Sequence, residues 1–257
     1  MKRWRSTPAA QGAIEIVEED GVRVLQIGGE AIQSAMRLDA PDRIELDYVR
    51  AMLAFLLFFP KPREVLVVGL GGGSLARFIH QKMPGTRVCV VEIDSGVLTV
   101  ARNYFHFPEE DARLEIVIGD GAEVVPRRPS SCDVLVVDGF IDGSPAKDLC
   151  TQAFYDGAFQ ALREGGVMVA NFMSDDRRME AYCRRIERAF GRRPALLLAE
   201  EKDNFIAIAL RGGPPRIAWA ELKARARAAD ALFGLPLGDC LESLRRHSSH
   251  TSRYLEL

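Results

Sequence analysis

Four carboxylates in this chain follow closely on short apolar runs. Glu92 and Asp94 close the run Val88-Cys89-Val90-Val91, Asp120 comes one glycine after Ile116-Val117-Ile118, and Asp138 follows Val134-Leu135-Val136-Val137. Apolar runs of that length read as buried strands. In an open α/β sheet, ligands sit outside the carboxyl ends of the strands, so acids placed there face a ligand rather than the core. Such a carboxylate can accept hydrogen bonds from a ribose diol, hold a cationic amine or take a proton from it. Ahead of the acids stands a glycine turn, Gly69-Leu70-Gly71-Gly72-Gly73-Ser74, directly after Val65-Leu66-Val67-Val68. Its glycines let a ligand approach the backbone, and the helix that follows offers free N–H groups at its start.

Three readings of that turn compete. Gly69, Gly71 and Ser74 form a poor dinucleotide fingerprint, because the third position wants glycine or alanine. An aspartate followed by a small residue, Asp120-Gly121, suits the edge of an adenine. A glycine turn, then a strand-end Glu92, then a strand-end Asp-Gly is the order found in class I S-adenosylmethionine-type folds. An adenosyl-sulfonium ligand is therefore the favoured reading, with NAD(P) or an unliganded tight turn as the alternatives.

The elements that must position these residues alternate. Strands 65–68, 88–91, 114–118, 133–137 and 167–171 are separated by helices at roughly 75–83, 95–104, 122–125 and 151–162, with a further helix at 177–190. Two more strands, 195–199 and 205–210, are too close together for a crossover and predict an antiparallel pair. The sum is a Rossmann-like α/β fold, a seven-stranded sheet of five parallel-type strands closed by that pair. Ahead of it, 14–18 and 22–27 flank Glu19-Asp20-Gly21, a hairpin signal, and 31–36 adds a short third strand. The expected organisation is a tail and small β-unit over 1–43, then a nucleoside-binding catalytic domain over 44–257 that begins with a helix at 44–59 and ends in helices from Trp219 onward. Residues 1–12 read as a loose tail and 247–257 as weakly ordered.

Composition narrows the partners. With 34 basic and 36 acidic residues the net charge is -2, which calls for neither nucleic acid nor an anionic membrane. The five cysteines, Cys89, Cys132, Cys150, Cys183 and Cys240, show no metal-ligand spacing, so no metal is expected, and they suit a reducing cytoplasmic setting. The longest apolar run, Ala51 to Phe59, is too short to span a bilayer.

Taken together, Ala31-Ile32-Gln33-Ser34, VLVVGLGGGSLARF, VVEID, IGDGAE, VVDGFIDGSPAKDLCTQAFY and LREGGVMVAN resemble the polyamine aminopropyltransferases, the spermidine and spermine synthases. The resemblance runs from about residue 14 to 210. It implies decarboxylated S-adenosylmethionine as co-substrate, a small amine as acceptor and a homodimer. It also implies that Gln33 and the turn Gly69, Gly71 and Gly72 touch the donor, that Glu92 holds the ribose with Ile93 and Asp94 beside it, that Asp120 with Gly121 meets the adenine, and that Asp138 is the base for the attacking amine.

The chain departs from that family in its amine half. The family's loop reads G-G-G-D-G, its aspartate binding the donor's aminopropyl nitrogen, and Gly72 stands at that position. The family's D-S-S-D-P-x-G-P-A falls on Asp138 to Ala146, where the second aspartate is Ile141 and Asp142 lies next door. Tyr48 matches a family tyrosine, but Val49 and Arg50 follow it, and an arginine in an amine pocket would repel a cation. Asp142 and Tyr48 are the expected acceptor-binding residues. The readings are an aminopropyltransferase with an unusual acceptor, a methyltransferase using intact S-adenosylmethionine on the same scaffold, or a nucleoside-binding remnant.

Overall fold

A computed structural model describes residues 2–5, 12–29, 31–141, 143–199 and 204–257. The chain opens with a four-stranded antiparallel sheet of β1 (Lys2–Arg5), β2 (Ile14–Glu19), β3 (Val22–Ile27) and β4 (Ile32–Arg37), in that spatial order. The Asp20-Gly21 turn works as its sequence suggests, both residues taking positive φ between β2 and β3. The expectation of a loose tail is corrected at residues 2–5, which pair with β2, Lys2 opposite Glu18 and Arg5 opposite Glu15. Four residues at a sheet edge carry too little alternation to be read as a strand. Residues 6–11 lie outside the described residues.

The helical pattern at 44–59 resolves into a short α1 (Asp47–Met52) continued by a 3₁₀ segment, Leu53–Leu57, whose residues are all buried. The main sheet follows: β5 (Glu64–Val68), α2 (Ser74–Lys82), β6 (Arg87–Glu92), α3 (Ser95–Phe105), β7 (Leu114–Ile118), α4 (Gly121–Val124), β8 (Cys132–Val137), a small hairpin of β9 (Phe140–Ile141) and β10 (Ser144–Pro145), α5 (Gln152–Ala161), β11 (Leu162–Met173), α6 (Met179–Phe190), β12 (Ala195–Ala199) and β13 (Asn204–Leu210). Its spatial order is β12-β13-β11-β8-β5-β6-β7. The five strands from β11 to β7 are parallel, and β13 runs antiparallel to both β11 and β12. The seven-stranded Rossmann-like fold is as expected.

Each central strand is buried on both faces, which explains its uninterrupted apolar run. Val65 and Val67 of β5 and Val134 and Val136 of β8 enter one hydrophobic cluster, and Leu66, Val68, Leu135 and Val137 enter the other. The first cluster also takes Ile14, Ile16, Leu25 and Met36, so the N-terminal sheet packs on that face. Buried Arg77 of α2 ties the two parts together, donating to the carbonyls of Pro41 and Phe105.

After β13 come β14 (Arg216–Ala218), α7 (Trp219–Phe233), α8 (Gly238–His247) and β15 (Tyr254–Glu256). The last strand corrects the expectation of weak order at 247–257. β15 pairs with β14, and Trp219 donates its indole N–H to the Thr251 carbonyl at 3.0 Å. Two three-residue strands with a pair of helices between them leave no local periodic signal.

Candidate active site

The chain runs outward from β5 to β6 and β7, then returns to place β8 on the other side of β5. The strand order thus reverses between β5 and β8, and the crevice of such a sheet opens at that point. Gly69 ends β5 and Asp138 ends β8. The Asp138 N–H donates to the Val68 carbonyl at 2.8 Å, and a Cβ on Gly69, whose φ is +93°, would overlap the Asp138 carbonyl oxygen. Only glycine lets the two strand ends come this close.

A cleft enclosing about 700 Å³, partly open to solvent, lies over this point. Gln33, Gly69, Gly71, Glu92, Ile93, Asp120, Gly121 and Asp138 all line it. Glu92 is fixed by backbone. Its Oε2 accepts the Leu70 N–H at 2.8 Å and its Oε1 the Asp94 N–H at 2.9 Å. Burial pushes its pKa up, and those backbone donors oppose the rise. Asp120 caps α4 by accepting the Ala122 N–H at 2.8 Å. Ile93, 46% exposed on the cleft wall, offers an apolar face at the end of β6. Asp94 is not among the lining residues. It caps α3, accepting the Gly96 N–H at 2.8 Å.

Gly72 is not among them either. Its N–H donates to the Ser34 hydroxyl at 2.8 Å, and a Cβ there would lie 2.9 Å from both Phe105 Cδ1 and Ser34 Cβ. The space into which an aspartate side chain would project is filled. Ser34 sits on β4, so the N-terminal sheet forms the roof of the glycine turn.

A second cavity of about 660 Å³ adjoins the first and is lined by Ile32, Gln33, Tyr48, Asp138, Phe140, Asn171, Met173 and Asn204, with Ala31 and Gly143. Gln33, Asp138 and Phe140 line both cavities. Tyr48 lines this cavity, its hydroxyl donating to the Gln33 carbonyl at 2.9 Å beside Asp138. Burial chiefly raises the tyrosine's pKa well above normal. Arg50 does not line this second cavity. It lines a separate depression with Asp47, Asp239 and Glu242, because the two residues from Tyr48 to Arg50 turn the side chain roughly 200° around the helix. Asp142 lies outside the described residues.

Asp138 itself is largely enclosed. Burial pushes its pKa up to about 6, against the Asn171 hydrogen bond and the neighbouring Tyr48 hydroxyl, which lower it. Asn171 Nδ2 donates to Asp138 Oδ1 at 2.9 Å, and Asn204 Nδ2 donates to Asn171 Oδ1 at 3.0 Å. Neither asparagine was expected in the site. Asn171 was legible in principle as a polar residue ending the apolar strand Val167-Met168-Val169-Ala170. Among the described residues, no group of three His, Cys, Asp or Glu could hold a metal ion, and no helix is long and apolar enough to cross a membrane.

Comparison with known proteins accords with this arrangement. The family model for the spermine/spermidine synthase domain matches residues 45–188. A polyamine aminopropyltransferase from Chromobacterium violaceum is 38% identical over 255 residues, covering 99% of this chain and 97% of that protein. A probable spermidine synthase from Corynebacterium glutamicum superposes with a TM-score of 0.73 at 19% identity, over 97% of each chain. Human methyltransferase-like protein 13, solved with SAH, superposes with a TM-score of 0.63 at 25% identity, over 80% of this chain and 94% of that one. The fold is therefore common to both transfer chemistries, whereas near-full-length identity lies with the aminopropyltransferases. The chain belongs to the spermine/spermidine synthase family.

Proposed function

We propose that this protein transfers the aminopropyl group of decarboxylated S-adenosylmethionine to a small amine, with Asp138 as the base. The observation that carries this reading is the meeting of two cavities at Gln33, Asp138 and Phe140. One has the nucleoside-binding features and the other has room for an acceptor. A carboxylate shared by both stands where a nitrogen from one side would meet an electrophilic carbon from the other.

In the reaction, the acceptor nitrogen attacks the methylene next to the sulfonium sulfur. The C–N bond forms as the C–S bond breaks, the electron pair goes to sulfur, and a neutral thioether leaves. The nitrogen gives its proton to Asp138. A free alkylamine has a pKa of roughly 10, well above the Asp138 value of about 6. A poorly hydrated cavity lowers the ammonium's pKa and narrows that gap. The same burial makes Asp138 a stronger base than an ordinary carboxylate. Because only the carboxylate accepts the proton, turnover falls as pH drops through about 6. In this reading Glu92 takes the ribose hydroxyls, Asp120 and Gly121 the adenine edge, Ile93 its face, and Tyr48 braces Gln33 and Asp138. Homodimeric assembly belongs to the same proposal.

Charge in the donor cleft favours the decarboxylated donor over the intact one. Its described lining carries Glu92, Asp120, Asp138 and Asp148, and no lysine, arginine or histidine. The α-carboxylate of intact S-adenosylmethionine would meet like charge there in a medium of reduced dielectric. Calorimetric titration with the two nucleosides side by side tests this. Tighter binding of the decarboxylated form is expected, and a preference for the intact form would move the reading to methyl transfer.

A further inference from the structure

Asn171 and Asn204 stand on the neighbouring strands β11 and β13, and Asp138 directly follows β8 beside them. In the parallel register of β8 and β11, Val137 lies opposite Ala170, which puts Asp138 beside Asn171 just past the end of β8. In the antiparallel register of β11 and β13, Asn171 lies opposite Ile206 and Met173 opposite Asn204. Asn204 is thus the diagonal neighbour of Asn171 on one face of the sheet, within reach of its side chain. Both asparagines are 5% exposed, so water does not substitute freely for their partners.

An amide has a donor end and an acceptor end, and the two cost very different amounts beside a carboxylate. With its NH₂ toward Asp138, Asn171 stabilises the anion. Turned over, it presents a carbonyl oxygen to a carboxylate. Asn204 selects between these orientations, because its own Nδ2 donates to Asn171 Oδ1 at 3.0 Å and that leaves Asn171 Nδ2 to reach Asp138 Oδ1 at 2.9 Å. The Asn204 Nδ2 also lies 3.6 Å from Met173 Sδ, which limits its own rotation. A chain of aligned donors polarises each member in turn.

We propose that Asn204 is a positioning residue for the reaction. It acts through Asn171 to engage one oxygen of Asp138 and so leaves the carboxylate's remaining acceptor sites for the amine. The inference rests on Asp138 being the base. The other titratable groups around Asp138 are Tyr48 from α1 and the cleft carboxylates Glu92, Asp120 and Asp148, and they are the same in every variant below.

The test is the pH dependence of kcat/KM in Asn204→Leu and Asn204→Asp, with Asn204→Ser as the smallest packing change should the leucine variant fail to fold. Asn204→Leu leaves the Asn171 amide free to turn and weakens a hydrogen bond to a charged group, so kcat/KM is expected to fall by about tenfold. The acidic limb, expected near pH 6 in the parent protein, moves upward because the carboxylate has lost a donor. Asn204→Asp places a carboxylate against Asn171 Oδ1 and turns the amide over, so its loss and its limb shift are larger. Donor affinity stays unchanged in both. An unmoved limb in the folded variants, whatever the loss of rate, overturns the proposal, since a purely structural role for Asn204 would lower stability without touching the profile. Asp138→Asn assayed alongside separates the two levels. An inactive Asp138→Asn with an unmoved limb in the Asn204 variants rejects the relay alone, whereas an active Asp138→Asn rejects the base and the relay with it.

Discussion

The two cavities that share Asp138 are held together in different ways. The proposed donor cleft is fixed by backbone. Glu92 is clamped between the N–H groups of Leu70 and Asp94, Asp120 by that of Ala122, and the crevice itself exists because Gly69 carries no side chain. The proposed acceptor cavity is fixed by side chains. Tyr48, Asn171 and Asn204 come from a helix and two strands, and their hydroxyl and amides set the position of Gln33 and of Asp138. A backbone-built site tolerates little change in geometry and much in its surroundings. A side-chain-built site can be retuned one residue at a time while the donor cleft stays intact.

That contrast can be broken most forcefully at Gly69. Gly69→Ala sets a methyl against the Asp138 carbonyl at a φ of +93°, where neither backbone can yield cheaply. A loss of about 3 kcal/mol or more in stability is expected, with both cavities lost together, measured by chemical denaturation. Unchanged stability would mean that the strand ends are not fixed as described. Glu92→Gln is narrower in reach. One of its two backbone N–H groups then faces an amide NH₂ instead of an oxygen, so donor affinity is expected to fall by roughly tenfold to a hundredfold by calorimetry. The Tyr48–Gln33–Asp138 cavity is left in place. Gly72→Asp acts on packing rather than on the donor contacts. The carboxylate has to displace Phe105 and Ser34, so stability drops by roughly 1–3 kcal/mol, and donor affinity does not improve. A gain in donor affinity would show that the space above residue 72 opens more easily than its packing implies.

The donor half was legible for the same reason that it is rigid. A glycine turn, a strand-end Glu92 and a strand-end Asp120-Gly121 are local patterns, and local patterns fix backbone. The seven-strand order followed from alternation and from the short link between β12 and β13. A strand-end acid and a helix cap look alike in sequence, and Asp94 caps α3. Of the second cavity, Gln33, Tyr48 and Asp138 were legible, but Asn171 and Asn204 were not, because they join it only through the register of β8, β11 and β13. Arg50 shows the same limit. Adjacency to Tyr48 suggested a cation in the amine cavity, but helix geometry turns it elsewhere. The strands at residues 2–5 and 254–256 were missed because each is defined by its distant partner rather than by its own composition.

The most direct test of the account is Asp138→Asn, with donor binding and amine-dependent release of the thioether nucleoside measured on the same preparation. The substitution keeps the size of the side chain and removes the base, so turnover is expected to fall by about 10²–10⁴-fold, while donor affinity falls far less, through the loss of one cleft carboxylate among Glu92, Asp120, Asp138 and Asp148. Thermal stability at neutral pH should hold or rise. A buried carboxylate whose pKa is raised in the folded state loses stability as pH climbs through about 6, and the amide does not carry that cost. Turnover that survives in Asp138→Asn within a few-fold of the parent would contradict the assignment of the base, and with it the claim that one carboxylate serves both cavities.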